Sequence, residues 1–177
     1  DLIKEKFAQS VNSDDLRLFK NKDLTFISVG RLVEQKGYDR LIKIHRRLID
    51  EGFKHNIMII GNGEDEQTLK NEIKKNNCQE TFKLIGYREN PFAYFKLADC
   101  FLLPSRYEGL PTVVFESLIC QIPVIATKVA GIEEQLKDSS YGLVVNNDES
   151  DFYEAMKTII MHPEKLEKMK DKLKDYH

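Results

Sequence analysis

The sequence predicts an α/β domain: a Rossmann-like, doubly wound parallel sheet of six strands with helices on both faces. Two observations carry that expectation. Short, continuous apolar runs recur without the apolar and polar alternation of half-exposed strands, which is how strands covered on both faces read. Segments of helical periodicity lie between them, and strands alternating with helices are the pattern of parallel βαβ units. The 177 residues, 41% hydrophobic and 32% charged, suit one ordinary globular core.

Residues 1–23 show no periodicity and read as a linker into a domain at 24–162. LTFISV (24–29) is the first strand. After GRLVEQKG comes YDRLIKIHRRLIDEG, an amphipathic helix whose Leu41, Ile44, Leu48 and Ile49 recur at helical spacing. NIMII (56–60) is the second strand, and GNG turns the chain into a helix with an acidic start, as the helix dipole favours. TFKLIG (81–86) is the third, followed by NPFAYFKLAD, where Pro91 suits a helix start. DCFLLPS (99–105) is the fourth strand and runs into SRYEGLPTVVFESL, a turn and a helix. IPVIAT (122–127) and YGLVV (141–145) are the fifth and sixth, and DESDFYEAMKTIIM (148–161) is a closing helix. Residues 163–177 form a charged, weakly amphipathic helical tail, whose mixed charges fit a solvated face better than a membrane surface.

Composition excludes several functions. A formal charge of −2 leaves no electrostatic footprint for a nucleic acid. Cys78, Cys100 and Cys120 are an odd set without a C-x-x-C pair, which points to a reducing, cytoplasmic compartment and away from a disulfide framework. His45, His55, His162 and His177 are scattered singly, so no metal site is expected. No apolar run approaches a membrane span, and no secretory signal is present. A chain beginning at Asp1, not Met, reads as a piece of something longer.

Ligands of a doubly wound sheet bind at the carboxyl ends of the strands, where loops run into helix N-termini. The loop after the first strand, GRLVEQKG (30–37), holds Arg31 and Lys36, suited to a pair of negative oxygens above the sheet edge, although an isolated basic pair is ordinarily a solvated surface charge. The GNG loop lacks the third glycine of a dinucleotide fingerprint, and no G-K-[ST] phosphate loop occurs.

SRYEGLPTVVFESL (105–118) holds two carboxylates, Glu108 and Glu116. Their spacing alone says little, since Glu64 with Glu72 and Glu72 with Glu80 repeat it in a polar stretch that reads as solvated helix face. Glu116 differs, with VVF before it and SLIC after, so its helix is expected to be buried nearly all round. Gly109, Leu110, Pro111 and Thr112 turn the chain into that helix, whose free first-turn amides make an anion site. Pro111 loses nothing there. Thr112, Glu116 and Cys120 share one stripe, so Glu116 lies one turn deeper on Thr112's face. A phosphate at the helix tip would sit between two carboxylates that repel it. Each then needs another partner, and hydroxyls fit, because an ionised carboxylate accepts from two adjacent ones. A diphosphate flanked by two polyols is a nucleotide sugar.

These motifs, with IIGNGEDEQTL, FKLIGYRENPFAYFKLADCFLLPS and TKVAGIEE, resemble the C-terminal, donor-binding domain of the retaining GT-B glycosyltransferases of family 4, glycosyl transferases group 1. The similarity runs over roughly residues 21–160. It implies that Arg31 and Lys36 meet the donor diphosphate, Gly109, Leu110, Pro111 and Thr112 offer amides to the phosphates, and Glu116 takes the ribose hydroxyls. Glu108 would hold hydroxyls of the transferred sugar, and the backbone around Tyr87 would meet the base, with Gly61 beside the donor. No metal or other cofactor is implied, the two cations standing in for one. The resemblance also implies retention through an oxocarbenium-like state, polysaccharide or glycolipid as product, and a seat in the cytoplasm, peripherally at the inner face of a membrane. The family's N-terminal acceptor domain, with its glycine-rich loop and catalytic histidine, is missing from this chain, and His45 and His55 read as surface or packing residues. The isolated piece is therefore expected to bind a donor and transfer little.

Two rival readings follow from the same residues. One is a non-catalytic binding or regulatory module, with Glu108 capping a loop and Glu116 paired to a buried cation. The other is a nucleotide-sugar epimerase or a phosphorylase of the same fold, the latter disfavoured because no lysine has a suitably apolar setting for pyridoxal.

Overall fold

Six strands pair in parallel throughout, in the order β3-β2-β1-β4-β5-β6, in a computed structural model that describes residues 1–176. They are β1 Thr25–Val29, β2 Asn56–Ile60, β3 Phe82–Gly86, β4 Cys100–Leu103, β5 Val124–Thr127 and β6 Gly142–Val145. The helices are α1 Leu2–Ala8, α2 Tyr38–Asp50, α3 Glu66–Lys75, α4 Thr112–Ile119, α5 Ile132–Gln135, α6 Glu149–Met161 and α7 Glu164–Leu173. The expected doubly wound sheet is thus present.

Because successive side chains of a strand point to opposite faces, each strand feeds two cores. Phe26, Ile57, Ile59, Leu102 and Ile125 pack with α2, α3 and α6, while Ile27, Met58, Ile60, Phe101 and Ala126 pack with α4 and α5. Both faces of β2 and β4 are buried at every position, which is why these strands read as unbroken apolar runs.

Several local expectations are corrected. Residues 1–23 are not featureless: α1 is capped by the Asp1 carboxylate, which accepts from Ile3 N at 2.9 Å. Its Ile3 and Phe7 pack partly buried against the second core, and Asn90 Nδ2 donates to Lys6 O at 2.8 Å. Seven residues are too few to display a period, and tertiary packing supplies the stability. The segment after β3 is helical from Pro91, as a 3-10 helix, Pro91–Leu97. α4 is not buried all round, since Thr112 and Phe115 are exposed. The tail is not merely solvated, for Leu166 joins the first core and Leu173 the second. His45 and His55 are not single: both are wholly buried, with His45 Nδ1 2.8 Å from His55 Nε2. His177, which ends the predicted tail, lies outside the described residues. No helix of the described residues is long and apolar enough to cross a membrane.

Candidate functional site

Strand order reverses between β1 and β4, so the chain departs in opposite directions from their carboxyl ends and leaves a crevice there. The loops after β1, β2 and β3 extend the sheet's own bonding into that crevice. Gly30 N donates to Ile60 O at 3.0 Å, Gly61 N to Gly86 O at 2.9 Å, and Leu32 N to Asn62 O at 2.9 Å. Backbones this close admit no side chain at Gly61, whose φ is +143° and whose Cβ would stand 2.0 Å from Gly30 O.

The β1 loop then crosses to β4. It closes in a 3-10 turn, Glu34–Lys36, ended by Gly37 at φ +73°, where a Cβ would meet Pro104 O at 2.0 Å. Arg106 N donates to Gln35 O at 2.8 Å, and Gln35 Nε2 to Tyr107 O at 3.1 Å. The Arg106 guanidinium grips Asp39 with two bonds of 2.8 and 2.7 Å and holds its carboxyl below the usual carboxylate range. Asn147, from the loop after β6, donates to Arg106 O at 2.7 Å and accepts from Arg40 at 2.9 Å.

Within this frame the Lys36 ammonium donates to Glu108 Oε1 at 2.6 Å, and Ser105 Oγ donates to the same oxygen at 2.9 Å. Glu108's side chain is only 8% exposed. Ser105 is fixed in turn, since Thr127 Oγ1 donates to its carbonyl at 2.6 Å. Glu108 therefore has the loop contacts that the regulatory reading gave it. Glu116 lacks the buried cation that the same reading required: no hydrogen bond or ion pair reaches its carboxylate among the described residues. Burial raises its pKa, and the charge of Lys6 on α1 offsets this in part. One turn on, burial and Glu116's charge push the Cys120 thiol up to about 12.

Glu116 opens onto a pocket of about 540 Å³ that it shares with Arg31, Gly61, Tyr87, Arg88 and Phe92, a volume within the usual range of small-ligand sites. Arg31 is exposed, and among the described residues its side chain has no ion pair or hydrogen bond. Tyr87 is 67% exposed. Four of the residues singled out in the sequence thus line one cavity, while Lys36 and Glu108 pair on the adjoining loops. Gly109 to Thr112 connect the two carboxylates: Gly109 and Leu110 are exposed, Pro111 is buried at the N-cap, and no side chain caps α4. Gln135 Nε2 steadies this turn by donating to Pro111 O at 3.3 Å. A smaller hollow, about 230 Å³, lies under Thr25 and Asp99 at the amino ends of β1 and β4, away from these loops. Sequence reasoning missed Ser105, Arg106, Asp39 and Asn147, and no spacing rule joins them.

The chain is 39% identical over 126 residues to the uncharacterized glycosyltransferase MJ1059 of Methanocaldococcus jannaschii, covering 70% of this chain and 31% of that protein. It is 32% identical over 155 residues to the N-acetylgalactosamine-N,N'-diacetylbacillosaminyl-diphospho-undecaprenol 4-alpha-N-acetylgalactosaminyltransferase of Campylobacter jejuni, 86% of this chain and 42% of that one. The solved structure of Anabaena HepE in complex with UDP shares the fold with a TM-score of 0.79 at 16% identity, covering 96% of this chain and 48% of HepE. The chain therefore spans 31% to 48% of these relatives' length. Its fold is that of the C-terminal-type domain of GT-B glycosyltransferases, residues 12–176 match the family profile described as glycosyl transferases group 1, and the chain belongs to that family.

Proposed function

We propose that this chain is the donor-binding part of a retaining, metal-independent glycosyltransferase that moves a sugar from a nucleoside-diphosphate sugar to an acceptor hydroxyl in polysaccharide or glycolipid synthesis. One observation carries the reading: a carboxylate, Glu116, and a cation, Arg31, neither with a hydrogen-bond or ion-pair partner among the described residues, face one cavity beside the Lys36–Glu108 pair. Glu116 accepts from the ribose hydroxyls, and Tyr87's backbone meets the base. Arg31 and Lys36 take up the charge that grows on the departing diphosphate, the task a metal ion would otherwise perform. The turn from Gly109 to Thr112 presents its amides to the phosphates. Glu108, held from behind by Ser105, positions the sugar near its reacting carbon and stabilises an oxocarbenium-like state rather than acting as an obligatory nucleophile. The acceptor is held by the rest of the enzyme, which works in the cytoplasm at the inner face of a membrane.

The test pairs calorimetric titration of this chain with nucleotide sugars, with and without EDTA, with an assay of nucleoside diphosphate release in the presence of acceptor saccharides. Donor binding without release is expected. Robust transfer by the chain alone contradicts the division of labour, and donor binding abolished by EDTA contradicts metal independence.

A further inference from the structure

We propose that Asp15 and Arg88 are positioning residues for the base end of the donor pocket: their half-buried ion pair, closed by Tyr94, fixes the Tyr87–Glu89 wall and thereby sets which base the pocket accepts. The inference rests on the nucleotide-sugar reading above.

The wall leaves the sheet abruptly, turning at Gly86 with φ +79°. Neither Tyr87 nor Glu89 has a side-chain hydrogen bond among the described residues, and both are exposed. What holds the wall lies behind it. Arg88 donates from Nη1 to Tyr87 O at 2.9 Å and to Ile85 O, clamping the backbone on both sides of the turn. The same guanidinium donates from Nε to Asp15 Oδ2 at 2.9 Å and from Nη2 to Asp15 Oδ1 at 3.2 Å, and Tyr94's hydroxyl also donates to Asp15. Asp15's side chain is 8% exposed and comes from a three-residue 3-10 turn ahead of the sheet, 73 positions from Arg88. One planar fork thus ties the wall's carbonyls to a carboxylate outside the βαβ units, which the point charge of a lysine would not reproduce.

A base resting on Tyr87's backbone would feel any shift of this clamp. A diphosphate held at Arg31 and α4 would not. The side chains of Asp15 and Tyr94 line none of the donor pocket, so their substitution leaves its surface chemistry unchanged.

Calorimetric titration with UDP, GDP, ADP and CDP tests this on the unsubstituted chain, on Asp15→Asn and on Tyr94→Phe, with circular dichroism confirming the fold. Tyr94→Phe removes only a hydroxyl and serves if Asp15→Asn does not fold. The preferred nucleotide is expected to lose roughly tenfold in affinity in Asp15→Asn and roughly threefold in Tyr94→Phe, while the other three change less than about twofold. An unchanged preference, or an equal loss for all four, overturns the inference and leaves the donor site standing. Failure of the unsubstituted chain to bind any of the four overturns both.

Discussion

The Lys36 ammonium stands 2.6 Å from Glu108 Oε1, joining two loops whose residues lie 72 positions apart. An ammonium already facing a carboxylate attracts a diphosphate less than a free one does. Glu108→Gln keeps the shape and releases Lys36, so the affinity of this chain for its nucleoside diphosphate is expected to rise roughly threefold to tenfold, about 0.7 to 1.4 kcal/mol. Calorimetry checks it, and an unchanged affinity would keep Lys36 away from the phosphates.

Glu116 carries a charge that burial disfavours, that Lys6 offsets only in part, and that no hydrogen bond or ion pair among the described residues relieves. Glu116→Gln removes that penalty. On a half-buried side chain, after allowance for solvent screening, the gain is about 1 kcal/mol, or roughly 2–4 °C in melting temperature for a domain of this size. The same substitution is expected to weaken nucleotide binding, because the amide accepts less strongly from two hydroxyls. Thermal melts with and without nucleotide measure both effects, and a variant less stable than the parent would assign Glu116 a structural role.

The buried histidine pair makes stability depend on acid. His55 Nδ1 lies 2.8 Å from Phe53 O, His55 Nε2 2.8 Å from His45 Nδ1, and His45 Nε2 2.8 Å from Thr81 Oγ1. One assignment satisfies all three: each ring carries its proton on Nδ1, and Thr81 donates to His45. A second proton on either ring would place a charge in the core, and burial lowers the pKa of His45 to about 2 and of His55 to about 4. Both fall below the unfolded value of 6.5, so the unfolded chain takes up protons first. The stabilisation is complete above that value and is lost as pH falls toward the folded values. Urea melts are expected to show about 2–3 kcal/mol lost per pH unit between pH 6 and 4.5; a flat profile would mean the rings are not held neutral.

Gly61→Ala forces a Cβ against Gly30 O in a left-handed backbone. The expected cost is about 2–4 kcal/mol, read as a lower urea midpoint, together with loss of nucleotide binding as the β1 and β2 loops part. Near-parental stability would show that the loops can separate freely.

The strands were legible because each is a short apolar run with helices between, and burial on both faces leaves that mark. Arg31 and Glu108 were legible as positions past strand ends, Glu116 as a carboxylate in an apolar helix one turn below Thr112, and Tyr87 through the family resemblance. Their partners were not. Lys36 with Glu108, Arg106 with Asp39 and Asp15 with Arg88 join residues 67 to 73 positions apart, and only the seating of whole loops brings them together. His45 and His55 are ten positions apart, yet one sits on α2 and the other just before β2, so their contact is tertiary. α1 is stabilised by packing at Ile3 and Phe7, which a seven-residue stretch cannot advertise.

The central claim is that Glu116 and Arg31 face a bound nucleoside diphosphate. Titrating this chain with UDP, GDP, ADP and CDP, then repeating on Glu116→Ala and Arg31→Ala, tests it most directly. Binding of one nucleotide, weakened roughly tenfold or more by each substitution, is the expected result. A folded chain that binds none of the four, or binds one equally well after both substitutions, would contradict it.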